Sequence, residues 1–378
     1  MKKEIIVFGK DSYNTLGLMR SMGQRGFSIY LILQKSAVPG YCRLSKYATH
    51  IKQIREVEEG IDFLLHQYPA QEASKTVVIP TSDLIASVLD EHYGELSSRY
   101  IFPNAGGSVR LSTIMDKRLM TEMAAESGLT VPQTLEYVCG DVLPEAIPFP
   151  CMVKPAKSIE GSKSEMRVCQ NMTELKAATA NHFQGHKLLL QQYIEKEYDI
   201  LLLGCRCPNG KVFLSGVFQK ERWLLFGNDG TFGKITTNIE HWFDKKNVEL
   251  FLEKLNYMGP FSIECGVQDG KSYFYEINLR NDGTSHYFDN TGFCVPHAWT
   301  KECMGEAVTY TGEGEYYFID EFGDIMNVVN KNCTFKEWCR NKNMATAFKY
   351  KNKTDWKPML IIWPYMMAFV VKKSLQKK

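Results

Sequence analysis

Apolar runs alternate with helical patterns along the first 110 residues of the chain. Runs at 4–8, 27–33 and 75–80 predict buried strands, and a helical apolar spacing between the first two ends near Gly26. Strands that alternate with helices indicate a parallel sheet. The first part of the chain is therefore predicted to be a doubly wound α/β unit.

The pattern changes after residue 110, where strands become more frequent than helices. Asp116 is predicted to cap a helix that stops at Gly128. Predicted strands lie at 149–155, 188–194 and within 199–226. A stretch rich in Gly and Asn at 227–238 is predicted to be a loop. The fold class is thus an α/β head followed by an α+β body.

A hairpin at 261–278 carries two acidic residues. Asp269 and Gly270 are a turn signal, and a three-residue loop at 269–271 places Glu264 opposite Glu276. In this register, Phe274 and Asn278 share the polar face with the two glutamates. Opposed carboxylates repel each other unless one is protonated or a cation lies between them. Oxygen ligands of this kind suit Mg²⁺, and a solvated polar face without metal is the alternative.

The amino-acid composition excludes several classes of protein. A hydrophobic share of 44% with 23% charged residues excludes wholesale disorder, collagen and coiled coil. The net charge of +2 gives no general attraction to nucleic acid, so no nucleic-acid partner is predicted. Eleven cysteines without a CxxC pair, and no export signal, favour free thiols in the cytoplasm. Zinc motifs and the GxGxxG fingerprint of dinucleotide binding are absent.

The C-terminal part holds an apolar segment at 358–371, flanked by lysines. It is shorter than the roughly 20 residues that span a bilayer. A helix packed on the body is predicted, and peripheral contact with a membrane surface is the alternative.

Several polar features follow one another in a characteristic order. Lys154 lies in an apolar strand, where an unpaired ammonium is costly, so an anionic partner is expected. The small, polar loop at 158–164 could place its amides over phosphates. With Lys117 before them, and the strand at 188–194 and the acidic hairpin after them, these features resemble the ATP-grasp superfamily over roughly residues 1–305.

The resemblance implies an ATP-grasp fold with an N-terminal Rossmann-like preATP-grasp domain. The implied units are a preATP-grasp domain at 1–110, a small lobe at 111–188, a large lobe with the metal site at 189–310, and a C-terminal extension with the apolar segment at 311–378.

The resemblance also assigns roles to residues. Those implied in ATP binding are Lys117, Lys154, Ser158, Gly161, Ser162, Gln191, Gln192, Tyr193, Ile194 and Glu197. Those implied in binding Mg²⁺, with Mn²⁺ as an alternative ion, are Glu264, Glu276 and Asn278. Lys220 resembles a basic position near the γ-phosphate, with Arg222 as a neighbouring candidate, and Arg280 matches an arginine that stabilises the acyl phosphate or grips the substrate. Weaker candidates for substrate contact are Asn14, Asp83 and His286, for which cap, turn and structural roles are the alternatives.

The segment EINLRNDGTSH is most similar to carboxylate–amine ligases like D-aspartate ligase, and to the large chain of carbamoyl-phosphate synthase. This resemblance implies an ATP- and Mg²⁺-dependent ligase that activates a carboxylate as an acyl phosphate for attack by an amine. A bicarbonate or thiol partner, and a non-catalytic nucleotide-binding protein, are the alternatives. Both small-molecule substrates stay unidentified, and the resemblance favours a homodimer.

Overall fold

The structure is a computed structural model of the 378-residue chain. It describes residues 3–36, 40–69, 74–107, 109–155, 166–180, 182, 184–224, 229–310, 312 and 314–375, without the side chains of 369–375. Three sheets organise these residues.

The first sheet is parallel and has the strand order β3-β2-β1-β4-β5. Its strands are β1 (Glu4–Lys10), β2 (Ser28–Gln34), β3 (Ala48–Ile54), β4 (Thr76–Pro80) and β5 (Tyr100–Ile101). The helices of this head are α1 (Tyr13–Gln24), α2 (Val57–Asp62), α3 (Asp83–Glu91), α4 (Tyr93–Leu96) and α5 (Leu111–Ile114). The predicted α/β head is confirmed, and the strand order reverses between β1 and β4. Such a switch point leaves a crevice at the carboxyl ends of the strands.

The second sheet is antiparallel, has four strands and forms a small lobe with its own core. Its elements are α6 (Lys117–Glu126), β6 (Thr134–Val138), β7 (Cys151–Pro155), β8 (Arg167–Cys169), α7 (Met172–Thr179) and β9 (Lys187–Gln192). Asp116 caps α6 as predicted, because its carboxylate accepts hydrogen bonds from the N–H groups of Arg118 and Leu119.

The third sheet has seven strands in the order β14-β13-β10-β11-β12-β15-β16. The strands are β10 (Tyr198–Arg206), β11 (Val212–Trp223), β12 (Gly230–Thr236), β13 (Gly259–Gln268), β14 (Lys271–Asn278), β15 (Glu315–Ile319) and β16 (Ala347–Phe348). The helices around it are α8 (Lys245–Lys254), α9 (Val295–Cys303), α10 (Ile325–Val329), α11 (Phe335–Met344) and α12 (Met359–Leu375). Residues after 310 thus contribute two strands to this large sheet.

The prediction of a loop over 227–238 was wrong, because β12 occupies most of this stretch. Its glycines permit close strand packing: a Cβ on Gly233 would lie 2.2 Å from the carbonyl oxygen of Gln219 on β11. Gly and Asn were interpreted as loop formers, whereas a strand interior can also select glycine where another backbone approaches closely.

The head and the large sheet share one hydrophobic core, which contains Ile5 and Leu31 from the head with Phe218 and Trp299 from the body. The small lobe contributes none of the buried residues of that core.

Buried hydrogen bonds attach the C-terminal segment to the head. The Arg20 guanidinium donates to an Asp355 carboxylate oxygen at 2.9 Å and to the Tyr350 carbonyl at 2.7 Å, and all three residues are buried. The predicted helix over 358–371 is confirmed as α12, whose Ile362 is buried in the shared core while Trp363 is 55% exposed. None of the described helices is both long and apolar enough to cross a bilayer.

Candidate active site

The acidic hairpin places its two glutamates opposite each other, as the sequence predicts. Glu264 on β13 pairs directly with Glu276 on β14. The turn differs from the prediction: only Asp269 and Gly270 form it, with φ of 51° and 70°. Both angles are positive, which suits the tight turns that join twisted strands.

A β-bulge compensates for the shorter turn. Cys265 pairs with Phe274, so Tyr275 is an extra residue between that pair and the glutamate pair. Phe274 therefore packs with Cys265 in the buried core, and the prediction that it lies on the polar face was wrong. The bulge leaves the register of the two glutamates as predicted.

Each glutamate has a lysine near it. Lys220 on β11 places its Nζ 3.7 Å from Oε2 of Glu264, and Lys117 at the start of α6 places its Nζ 4.0 Å from Oε2 of Glu276. Burial raises the pKa of Glu264 to about 7; Lys220 lowers it, and the neighbouring Glu276 raises it further. A divalent cation between the carboxylates would relieve both the burial cost and the repulsion.

The predicted metal ligands fit such an ion in number and chemistry. Glu264, Glu276 and Asn278 line one cavity of about 330 Å³. No cluster of three or more His, Cys, Asp or Glu in the described parts of the chain is arranged to hold a metal. The donor set of two carboxylates and one amide oxygen suits Mg²⁺, which usually completes its octahedron with waters and phosphate oxygens.

Arg280 connects the predicted metal ligands to the head. Its guanidinium donates to Oδ1 of Asn278 and to a carboxylate oxygen of Asp282, both at 3.1 Å. Its Nε lies 3.1 Å from Oδ1 of Asp83, at the start of α3. Burial alone would raise the pKa of Asp282, but Arg280 and hydrogen bonds from Thr284 lower it below its usual range. The charged pair holds Arg280 at the cavity wall.

Asn14 and Asp83 line the same cavity, as the position of their loops predicts. Asn14 is buried and donates to carbonyl oxygens of both Thr81 and Asn281, at 3.0 and 2.8 Å. The Asn14 side-chain amide thus links the head to the body through hydrogen bonds. Asp83 is 53% exposed and is the more accessible of the two.

His286 lies behind the cavity wall, and the prediction that it contacts substrate is not supported by its position. Its Nδ1 is 2.8 Å from the Gly283 carbonyl, and its ring packs so closely on α1 that a Cβ at Gly17 would lie 2.2 Å from Nδ1. Burial, together with the nearby Arg20, lowers the pKa of His286 to about 4. The ring is therefore neutral at pH 7.

Lys154 projects from β7 of the small lobe toward the same acidic region. Its Nζ donates to Oε1 of Gln191 on β9 at 2.9 Å. Burial and, to a smaller extent, Lys117 lower the pKa of Lys154 to about 8, while Glu276 opposes the shift. A polyanion bound here would restore the charged form of this ammonium.

The predicted adenine hinge forms the link from β9 to β10. The Gln192 side chain accepts from the Gln133 N–H at 3.3 Å, and Tyr193 N–H donates to the Pro150 carbonyl at 2.8 Å. Ile194 is buried. The Glu197 carboxylate accepts from the N–H of Asp269 at 2.9 Å, which ties the link to the hairpin turn.

The predicted phosphate-loop residues Ser158, Gly161 and Ser162 lie outside the described residues. Apart from His286, the other predicted residues fall into two groups. Those at the cavity wall are Asn14, Asp83, Lys220, Glu264, Glu276, Asn278 and Arg280. Those on the small lobe and its link are Lys117, Lys154, Gln191, Gln192, Tyr193, Ile194 and Glu197.

The lining residues that sequence reasoning missed include Tyr13, Asp229, Asp282 and Lys349. Asp282 follows the EINLR motif by two residues and could have been found from that spacing. Lys349 comes from the C-terminal segment, about 70 residues further along the chain, where the sequence offers no signal for the site.

The parallel head sheet, the small antiparallel lobe and the large sheet with facing glutamates form the fold that the resemblance in the sequence predicts, and solved structures share this fold. The chain superimposes on N5-carboxyaminoimidazole synthetase from Staphylococcus aureus complexed with ADP, with a TM-score of 0.64 and 15% identity, over 89% of this chain and 87% of that one. The biotin carboxylase domain of 2-oxoglutarate carboxylase from Hydrogenobacter thermophilus, solved with MgADP and bicarbonate, gives a TM-score of 0.62 and 17% identity, over 84% and 74% of the two chains.

Sequence relatives agree with this fold but match only part of the chain. A formate-dependent phosphoribosylglycinamide formyltransferase of Bacillus velezensis is 25% identical over 207 residues, which are 49% of each chain. The carbamoyl phosphate synthase large chain of Sulfolobus acidocaldarius is 25% identical over 179 residues, which are 45% of this chain and 16% of the synthase. The chain thus spans about half or less of these relatives' length. No model of a known protein family matches it.

Proposed function

We propose that this chain is an ATP- and Mg²⁺-dependent ligase that activates a carboxylate as an acyl phosphate and joins it to an amine. The observation that carries the proposal is the pair of facing glutamates, Glu264 and Glu276, in a cavity also lined by Lys220 and Arg280. Structural neighbours crystallised with ADP, one of them as MgADP, support a nucleotide in the corresponding cleft.

The metal would be held by Glu264, Glu276 and Asn278, and when bound it would supply positive charge to the phosphate oxygens. The side chains of the chain contribute the rest. Lys154 and Lys220 neutralise the phosphates from the small lobe and the large lobe, respectively. Phosphoryl transfer needs little covalent help from a protein, so positioning and charge neutralisation are the main contributions.

Two displacements complete the proposed reaction. A carboxylate oxygen of the acid attacks the γ-phosphorus, and the bond to ADP breaks. The amine nitrogen then attacks the acyl carbon, phosphate leaves, and the nitrogen loses a proton. Arg280 stabilises the charge on the acyl phosphate because its guanidinium is fixed at the wall beside Asn278.

A screen for stimulated phosphate release tests this function. Full-length protein with MgATP should release phosphate slowly alone and at least about 10-fold faster with the correct acid and amine together. Omitting either substrate should return the rate to the background. Acceleration by bicarbonate or a thiol in place of the amine would identify another acceptor. MgATP binding with no stimulation across amino acids, other acids and amines would favour a non-catalytic nucleotide-binding protein.

We further propose a cytoplasmic location, since ATP is available there and the eleven cysteines are free thiols. The dimers seen among structural neighbours support a homodimer as the assembly, which the molar mass in solution will test.

Peripheral membrane contact through α12 is a second part of the proposal. The segment is apolar on all sides, yet among its described side chains Ile362 is buried on the body, whereas Leu360 is 62% and Trp363 55% exposed. A helix that is apolar all round is normally covered on every face. Exposed Lys353 and Lys357 next to it favour an anionic surface, and Trp prefers the membrane interface.

Vesicle flotation will test this contact. Full-length protein is expected to float with vesicles containing phosphatidylglycerol and to float less with phosphatidylcholine alone. The double variant Leu360→Ser, Trp363→Ser should lose most of the binding, while Leu250→Ser, which changes an exposed leucine on α8, should keep it. Equal recovery of wild type and double variant in the vesicle fraction would refute the proposal.

A further inference from the structure

The cavity has a second end, on the side of the head sheet. It lies at the switch point, where the loops after β1 and β4 both reach it. Ser12 caps α1 by accepting from Thr15 N–H, and Ser82 caps α3 by accepting from Ile85 N–H. Both capping serines line the cavity, so the positive ends of two helices point into one space.

Lys349 brings a full positive charge to this end. Its Nζ lies 2.9 Å from Oδ2 of Asp320, 3.8 Å from Oδ2 of Asp229 and 4.3 Å from the centre of the Tyr13 ring. Among the residues that the structure describes, only Asp320 is within hydrogen-bond distance of Nζ. An ammonium has three N–H donors, so two of them are left for a ligand at the cavity wall.

Tyr13 adds a second donor beside this lysine. Its ring packs closely on Gly283, where a Cβ would be 2.2 Å from Cε2. Burial and the nearby Asp229 raise the pKa of Tyr13, so the phenol keeps its proton. Tyr13 lines the cavity, and no hydrogen bond of its hydroxyl to another described residue is found.

The position of Lys349 is fixed before any ligand arrives. The Glu321 carboxylate accepts from the N–H groups of Lys349 and Tyr350, each at 3.1 Å. Arg20 holds the Tyr350 carbonyl from the head side at 2.7 Å. A donor that is held in place by its surroundings loses little entropy on binding.

We propose that Tyr13 and Lys349 bind an anionic group of one substrate, a carboxylate or a phosphate monoester, at a subsite separate from the nucleotide phosphates. The role of this subsite in a reaction rests on the proposed ligase function, whereas the binding of an anion to it can be measured independently. Asp229, which is 53% exposed, competes weakly for the ammonium and can turn to solvent when the anion enters. The substrate should therefore carry an anion in addition to its reacting group.

Calorimetric titration tests the subsite with the nucleotide site filled by saturating Mg²⁺ and a non-hydrolysable ATP analogue. Succinate probes the carboxylate and phosphoglycolate the phosphate, while uncharged succinamide is the reference. At least one anion should bind at least about 10-fold more tightly than succinamide. The tighter anion identifies the group that the subsite prefers.

Variants then locate the binding. Lys349→Met should weaken the anion at least about 10-fold and Tyr13→Phe about 3-fold, both with the analogue bound as in wild type. Lys349→Arg should retain most of the anion binding. Because arginine keeps the positive charge beside Asp320, this variant remains informative if Lys349→Met folds poorly. Lys301→Met, which removes an ion-paired lysine on α9, is the matched control and should change nothing.

The outcomes separate the two proposals. No preference for either anion over succinamide, or unchanged binding in the Lys349→Met and Tyr13→Phe variants, overturns the subsite. Weaker binding of the ATP analogue to Lys349→Met would assign the lysine to the nucleotide and overturn the subsite alone. Failure of wild type to bind the analogue would refute the ligase function, and the anions can still be titrated without nucleotide.

Discussion

Glu276→Ala is expected to lower kcat by at least about 100-fold, which corresponds to about 2.7 kcal/mol of transition-state stabilisation. The carboxylate faces Glu264 across the hairpin and is the partner of Lys117 at 4.0 Å. Removing it takes away a proposed metal ligand and leaves Lys117 without its counter-charge. Steady-state phosphate release with the stimulating substrates, and MgATP binding by calorimetry, will measure both effects.

The fold should survive this change, because the Glu276 side chain is 40% exposed and belongs to no hydrophobic core. Glu249→Ala is a suitable control, since it removes a glutamate that pairs with Lys245 on the surface of α8. Wild-type turnover in Glu276→Ala would show that the facing carboxylates do not hold the catalytic metal, and the proposed function would fail with them.

Lys154→Ala is expected to raise the KM for ATP by about 10- to 100-fold, as the loss of a partly desolvated charge contact with phosphate predicts. The wild-type enzyme should also show a characteristic pH dependence. The pKa of Lys154 is lowered to about 8, so the ammonium is charged below this pH and becomes neutral above it. The kcat/KM for ATP should therefore fall as the pH rises through about 8.

Comparison of pH profiles makes this prediction specific. In Lys154→Ala the fall near pH 8 should disappear, because no lysine remains there to lose its proton. Lys187→Ala, at the exposed start of β9 in the same lobe, should keep both the KM and the profile of wild type. An unchanged KM for ATP in Lys154→Ala would remove this lysine from the nucleotide site.

The acidic hairpin was predictable because its information is local. A turn signal between two β-rich runs and the alternation of side chains place Glu264 opposite Glu276 from sequence alone. The bulge at Tyr275 was not predictable in this way, because an inserted residue changes which face Phe274 occupies without changing the composition. The predicted turn was one residue too long, and the predicted alternation lacked the bulge. These two errors offset each other, so the predicted pairing of Glu264 with Glu276 was still correct.

The head end of the site was predictable only in part. Asn14 and Asp83 follow strands of a parallel sheet, so their place at the crevice follows from topology. Lys349 follows a two-residue edge strand, β16, and its neighbours Tyr13 and Asp229 come from distant segments of the chain. Such a short strand has no periodicity of its own, and tertiary packing alone determines where it lies.

The separate core of the small lobe has a consequence for how nucleotide enters and leaves. The head and the large sheet share one hydrophobic core, and the buried Arg20–Asp355 ion pair attaches the C-terminal segment to them. The sheet of β6 to β9 has a core of its own, whereas Met120 and Ala124 of α6 lie in the core of the large sheet. We therefore expect the sheet of β6 to β9 to move relative to the head and the large sheet when ADP is exchanged for ATP.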